Sequence, residues 1–283
     1  MLSVCPTPIG NLGDITLRVL ETLKAADLVA AEDTRRTRRL LTHFGISRPL
    51  VSFFEHNELT RLPELLKRLE RGQKIALVSD AGMPAICDPG YRLVRAALDA
   101  GLPVEVLPGP SAIETALVAS GFTTDAFVFL GYLPRKKGDL RRALALAAAE
   151  ARTCVAYETP HRLRTTLTEA AALLGNRQLA VCRELTKKFE EIRRGAAGEL
   201  LAALPEKVKG EIVLVFAGEA AGETVAKAAT TAAGDPALRQ ALEMMLGAGL
   251  PASRAAEIAA LLGGASRNRA YRLALEVKQS AGR

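Results

Sequence analysis

The sequence predicts two α/β domains followed by a small helical extension, and three observations predict it. In the first half, apolar runs of strand length alternate with amphipathic stretches of helix length, as a parallel sheet covered on both faces requires. After about residue 126 two strand-like runs follow one another without a helix between them, so a second sheet should be mixed. An Ala/Gly/Thr-rich stretch then precedes three short amphipathic segments. At 283 residues, 49% of them apolar, the chain is long enough for two cores and too apolar for general disorder. The expected division is 1–116 for an N-terminal α/β domain and 117–220 for a C-terminal one, with 221–235 as linker and 236–283 as a basic helical extension.

In order, LSVCPT (2–7) reads as a strand and TLRVLETLKAA (16–26) as a helix, with Leu17, Leu20 and Leu23 at helical spacing. DLVAA (27–31) is a strand, and TRRTRRLLTHFG (34–45) a helix closed by Gly45. PLVSFF (49–54) is a strand; NELTRLPELLKRLERG (57–72) is a helix expected to begin properly at Pro63. KIALVS (74–79) is apolar throughout, as a strand buried on both faces must be. DPGYRLVRAALDAG (88–101) reads as a helix with Asp88 as N-cap and Pro89 at N1, PVEVL (103–107) as a strand, and PSAIETALVASG (110–121) as a helix. In the second half AFVFLGYL (126–133), TCVAYET (153–159), QLAVCREL (178–185), KKFEEIRRG (187–195) and EIVLVFAG (211–218) read as strands. Helices are expected to about Glu150 and over 161–175 and 198–210. Ser253 and Ser266 would cap the last two helices of the extension.

Charge narrows the partners. The formal net charge is +7, concentrated in PRKKGDLRR (134–142), in Arg35, Arg36, Arg38 and Arg39, and in the last 33 residues, which hold one lysine and five arginines against Glu257 and Glu276. Each patch alone could be a solvated helix face, but three together favour a polyanionic partner such as nucleic acid. No apolar run approaches a membrane span, and the N-terminus shows no basic region followed by a long apolar stretch, so a soluble cytoplasmic protein is expected. Cys5, Cys87, Cys154 and Cys182 stand alone without zinc-type spacing, which predicts buried reduced thiols and no metal.

The chemistry-bearing features are loops. LVSDAGMPAICDPG (77–90) ends a strand in two carboxylates, two prolines and two glycines. A metal site is disfavoured because Asp80 and Asp88 are far apart along the loop and no His or Cys completes a ligand set. A phosphate cradle would need converging glycine amides and usually a Lys-Ser/Thr pair, which DAGMP lacks. A pocket of bare backbone remains. Strands 2–7, 74–79 and 103–107 end in PTPIGN, DAGMP and PGPSA, and such strand ends are where open α/β sheets bind ligands.

PTPIGNLGDIT, AAEDTR, VSDAGMPAICDPG, LPGPSA, GYLPRKKG, YETPHR, RELTKKFEE and GEIVLVFAG, in that order from about Met1 to Gly218, resemble the tetrapyrrole methylase superfamily. They are most similar to its branch acting on the 2′-hydroxyl of a cytidine in 16S rRNA. The resemblance implies a homodimeric enzyme with S-adenosylmethionine (SAM) folded between two α/β domains, acting on the decoding centre of the 30S subunit. It places cofactor contacts on Ile9, on Ala81, Gly82, Met83 and Ile86, on Ser111 and Ala112, and on Glu158 and Leu185. Asp80 joins them as a hydrogen-bond anchor or catalytic neighbour. Met83 replaces the usual Thr of SDAGTP, and Tyr132 the usual Phe of GFLP.

Methyl transfer to a ribose hydroxyl is an in-line displacement governed mainly by alignment, to which a base could add about 10²–10⁴-fold. Candidates for that base just past strand ends are Glu32, Asp33 and His56, with Glu55 and Glu58 beside them; Asp33 could equally be the N-cap of helix 34–45. RNA contacts are expected from Arg35, Arg36, Lys136, Lys137, Arg141 and Arg142, and from Arg267 and Arg269 in the extension. Arg35 could instead pair with Glu32. Two alternatives share parts of this reading: a methylase of small tetrapyrrole or corrinoid precursors, and a non-catalytic RNA-binding ribosome-assembly factor.

Overall fold

The computed structural model describes residues 1–218, 236–263 and 267–281. It divides into two compact units, Met1–Gly222 and Glu223–Arg283. The first unit holds two sheets. One consists of β1 (Leu2–Val4), β2 (Leu28–Ala31), β3 (Leu50–Ser52), β4 (Ile75–Val78) and β5 (Val104–Val106), all parallel, in the order β3-β2-β4-β1-β5. Its central strands are buried at every position, the physical reason they read as unbroken apolar runs. Leu2, Val4, Ala30 and Leu77 look into one layer and Val29, Ala31, Ala76 and Val78 into the other, as period-2 alternation dictates.

The crossovers are α1 (Leu17–Ala25), α2 (Thr34–His43), α3 (Glu58–Glu70) and α4 (Tyr91–Asp99). Helix α2 ends as its sequence indicates: Gly45 adopts φ +65 and the Ile46 amide returns to the Leu41 carbonyl at 2.9 Å. Helix α3 departs from expectation, running unbroken from Glu58 with Pro63 inside it. Tertiary anchoring outweighs the missing proline N–H. The Glu58 amide bonds to the Phe54 carbonyl, and its buried carboxylate accepts the Gly90 N–H at 3.2 Å. Helix α4 starts two residues late, at Tyr91 instead of Pro89, because Gly90 is the N-cap and adopts φ +131. A Cβ at Gly90 would lie 2.8 Å from Leu77 Cδ2, so only glycine lets the loop pass this close to the strand. Asp88 is thereby released from the capping role its sequence context suggests.

The second sheet has β6 (Phe127–Tyr132), β7 (Thr153–Glu158), β8 (Gln178–Arg183), β9 (Glu191–Ala196) and β10 (Ile212–Phe216), in the order β6-β7-β10-β8-β9. Only β6 and β7 are parallel, so the sheet is mixed. Strand β9 begins at Glu191 rather than 187, since Thr186 takes a positive φ and the 184–190 segment is a turn. Helices α6 (Lys137–Ala149), α7 (Pro160–Leu174) and the short α8 (Ala197–Ala202) cover one face. Helix α5 (Ala112–Ser120) covers the other, packing Ile113, Ala116 and Leu117 on Val155, Ala180, Cys182 and Val213. The boundary expected at 116/117 falls inside this continuous helix. Ile9 of the first loop joins the same apolar layer.

The second unit is described by itself. Helices α9 (Pro236–Gly247), α10 (Ala252–Gly263) and α11 (Arg267–Ala281) pack around Leu238, Leu242, Ala255, Ala256, Ala259, Ala270 and Ala274. Small alanines allow the helices to approach closely. The linker expected at 221–235 and the Ser266 cap lie outside the described residues. No described helix is long and apolar enough to cross a membrane. Cys5, Cys154 and Cys182 are buried as expected; Cys87 is not, because the 81–88 loop turns it outward.

Candidate active site

Three strand-end loops interlock beside the apolar face of the second sheet. The first and second are bridged by reciprocal amide–carbonyl bonds between Thr7 and Gly82, both 2.9 Å. The Thr7 hydroxyl donates to the Ser79 carbonyl at 3.0 Å. Gly109 of the third loop lies so close over Pro6 that an added Cβ would sit 2.4 Å from its ring. Gly82 adopts φ +77, 3.5 Å from Ile9 Cγ2 measured to the Cβ position it lacks. Bare backbone, fixed by Pro/Gly interdigitation, is therefore what these loops present.

Around them opens a cleft of about 340 Å³. Every residue expected to contact a cofactor lines it: Ile9, Asp80, Ala81, Gly82, Met83, Ile86, Ser111, Ala112, Glu158 and Leu185. Their contributions differ in kind. Met83 packs part of its side chain on the core beneath the first sheet. The Glu158 carboxylate is wholly buried; it accepts from the Thr159 amide at 2.7 Å and the Thr166 hydroxyl at 2.5 Å, with Arg162 3.5 Å away. Its role at the cleft is to fix the β7–α7 turn.

Of the expected catalytic groups, only Glu32 lines the cleft. It accepts the Asp80 N–H at 3.1 Å, and Asp80 in turn accepts the Asp33 N–H at 3.1 Å while pairing with Arg36 at 3.2 Å. Asp80 is thus an anchor tying the ends of β2 and β4 together. Asp33 caps α2 through the Arg35 amide at 2.8 Å and also grips the Arg35 guanidinium, which holds its carboxyl well below the usual range. Arg35 therefore pairs with Asp33, not Glu32. His56 is exposed, edge-on to Phe54 at 6.2 Å, and Glu58 is committed to Gly90; neither His56 nor Glu58 lines the cleft.

Several lining residues escape sequence reasoning. Asp88 faces the cleft, and burial, with Glu32 beside it, pushes its carboxyl up to about 6. Burial also raises Glu32 and Asp80, against the opposing pull of backbone N–H groups and Arg36. Tyr132 and Tyr157 form an aromatic wall, their centroids 5.2 Å apart. One signal for Tyr132 was available: a glycine inside a strand, Gly131, marks a bulge. No signal marks Asp88, whose DPG context reads as a helix start.

The expected RNA-contacting residues split. Arg36 lines the cleft mouth. Lys137 and Arg141 both clamp buried Glu169, at 3.0 and 3.2 Å, locking α6 to α7. Arg142 pairs with Asp139. Exposed Lys136 has no ion-pair partner among the described residues. Arg267 and Arg269 lie on α11, and nothing is described of their side chains. Among the described residues no group of three or more His, Cys, Asp or Glu side chains could hold a metal ion.

Two α/β domains enclosing a cleft made of strand-end backbone, with carboxylates on one wall and tyrosines on another, define a ligand-binding enzyme class. The chain belongs to the tetrapyrrole methylase family: residues 1–201 match the family described as Tetrapyrrole (Corrin/Porphyrin) Methylases. It is 47% identical to "Ribosomal RNA small subunit methyltransferase I" of Escherichia coli O157:H7 over 97% of this chain and 94% of that protein. A Synechocystis protein of the same name is 43% identical over 98% of both chains. Solved structures sharing the fold include the methyltransferase CobJ, with TM-score 0.60 and 20% identity over 77% of this chain and 94% of that one. Another is uroporphyrin-III-C-methyltransferase from Thermus thermophilus, with TM-score 0.55 and 21% identity over 80% and 97%.

Proposed function

We propose that this protein is a SAM-dependent methyltransferase of the small-subunit ribosomal RNA, acting on the ribose 2′-hydroxyl of a cytidine in the decoding centre, as a homodimer. The observation that carries the reading is identity of 47% across nearly the full length of a relative named for rRNA small subunit methylation. Uroporphyrin-III-C-methyltransferase, named for a small tetrapyrrole substrate, is only 21% identical. A non-catalytic assembly factor would have no use for the cleft.

The residues present fit the cofactor. The backbone of Ala81, Gly82, Ser111 and Ala112 lines the cleft, and Gly82 turns there through φ +77, a conformation that residues with a side chain rarely adopt, which leaves bare backbone facing the space. Ile9, Met83, Ile86 and Leu185 supply apolar lining, and Glu32, Asp80 and Asp88 give the wall a negative field that suits a sulfonium cation. When bound, SAM supplies an electrophilic methyl group. The chain's own contribution is alignment, exclusion of water, and a carboxylate within the cleft to receive the hydroxyl proton. Glu32 is the carboxylate proposed for that step, since Asp33 is committed to Arg35 and to capping. Arg36 and Lys136, together with the basic extension, would hold RNA phosphates.

Incubation with SAM carrying a tritiated methyl group and 30S subunits should label 16S rRNA. Label entering a porphyrinoid or corrinoid precursor, with none in rRNA, would overturn the reading.

A further inference from the structure

Strand β6 contains a device that the methylation reading does not itself require. Phe129 and Tyr132 are three residues apart, so regular pleating would send their rings to opposite faces of the sheet. Both instead contact the same ring, Tyr157, with centroids 5.1 and 5.2 Å away. The cause is a break in register between Phe129 and Tyr132, where Gly131 turns through φ +66. Such bulges re-aim a side chain, and here the re-aimed ring is Tyr132. It lines the cleft with 57% of its surface exposed, a large aromatic face held toward open space.

The platform is also rigid. The Leu133 amide bonds to the Tyr157 carbonyl at 3.2 Å, and Arg162 donates to the Leu133 and Pro134 carbonyls at 2.9 and 2.6 Å. Immediately beyond this pinned segment, Arg135 and Lys136 are exposed, with no ion-pair partner among the described residues. A fixed, exposed aromatic ring followed within four residues by unpaired cations is the combination that binds single-stranded nucleic acid, the ring stacking a base and the cations meeting its phosphates.

We propose that Tyr132 is the stacking platform for the base of the acceptor nucleotide, which leaves its helix to enter the cleft, while Arg135 and Lys136 meet the flanking phosphates. This rests on the RNA-methyltransferase reading and names the part of the substrate that this wall receives. The adjacent cations favour nucleic acid over the adenine of the cofactor as the stacked partner, because the one anionic group of SAM is the carboxylate at the end remote from its adenine, whereas a nucleotide carries phosphates next to its base.

Binding of the oligonucleotide rC5 carrying a fluorescein label at one end can be read by fluorescence anisotropy, a signal that does not depend on the ring being replaced. Tyr132→Ala should weaken rC5 affinity and raise KM for 30S subunits by about 10- to 100-fold, with SAM affinity by calorimetry within twofold of wild type. Tyr132→Phe, which keeps the ring, should recover both to within about threefold. Retention of rC5 affinity and KM by Tyr132→Ala overturns the proposal, as does an equal loss of SAM affinity, which would put the ring on the adenine. Wild-type methylation of 30S without any dependence on Tyr132 defeats this inference alone. Binding of rC5 that depends on Tyr132, without methylation of 30S, defeats the broader reading and leaves the platform standing.

Discussion

At the scale of single residues the cleft wall is an electrostatic compromise. Glu32, Asp80 and Asp88 share one surface, and Asp88, with burial against it and Glu32 nearby, is the group pushed furthest, to about 6. A carboxyl raised in the folded state favours folding while protonated, and that contribution is lost as pH rises from the unfolded value near 4 through about 6. Stability of the wild type should therefore fall across that window by about 1–2 kcal/mol, allowing for screening of a partly exposed group. Asp88→Asn should remove the largest part of that fall, with the remainder belonging to Glu32 and Asp80, measured by denaturant unfolding at pH 4, 5, 6 and 7. An identical pH profile in the variant would show that Asp88 is not the group responsible. Glu158 illustrates the opposite arrangement, a wholly buried carboxylate satisfied by Thr159, Thr166 and Arg162. Glu158→Ala leaves the Arg162 charge with no counter-charge, only the Leu133 and Pro134 carbonyls, and should cost about 3–5 kcal/mol in the same assay.

At the scale of elements, close approach of backbone organises the site. Gly109 rests on Pro6, so Gly109→Ala must displace one of the two loops. The expected result is a loss of SAM affinity of about 5- to 150-fold by calorimetry, following the roughly 1–3 kcal/mol cost of overpacking. Affinity equal to wild type would show that these loops do not shape the cofactor site. These loops were legible in the sequence because prolines and glycines at three strand ends carry their meaning locally. Strand assignments were legible for the same reason, since burial on both faces leaves unbroken apolar runs. What was not legible depended on distant partners. Helix α3 passes through Pro63 because Glu58 is held by Gly90, and Asp88 faces the cleft because Gly90 takes over its capping role. The redirected ring of Tyr132 depends on a bulge whose partner strand begins more than twenty residues later, which only the glycine at 131 hinted at.

At the scale of the whole molecule, function is divided along the chain. Among the described residues every one that lines the cleft lies at or before Val213, and three described helices with their own apolar core follow. A chain ending at Gly218 should therefore bind SAM as the full chain does, within about threefold, while methylating 30S subunits more weakly if the basic helices contribute to RNA affinity. Loss of SAM binding on this truncation would show that the extension is needed to form the cleft. The family match covers the first 201 residues, which hold all of the cleft lining except Gly210, Glu211, Ile212 and Val213.

The proposed product is a single methyl group placed on a ribose of small-subunit RNA. Nuclease digestion of 30S RNA after reaction with SAM, followed by mass spectrometry of the nucleosides, measures it directly. One new 2′-O-methylcytidine per subunit is the expected product. A methyl group on a base, or no methylated cytidine ribose at all, would contradict it.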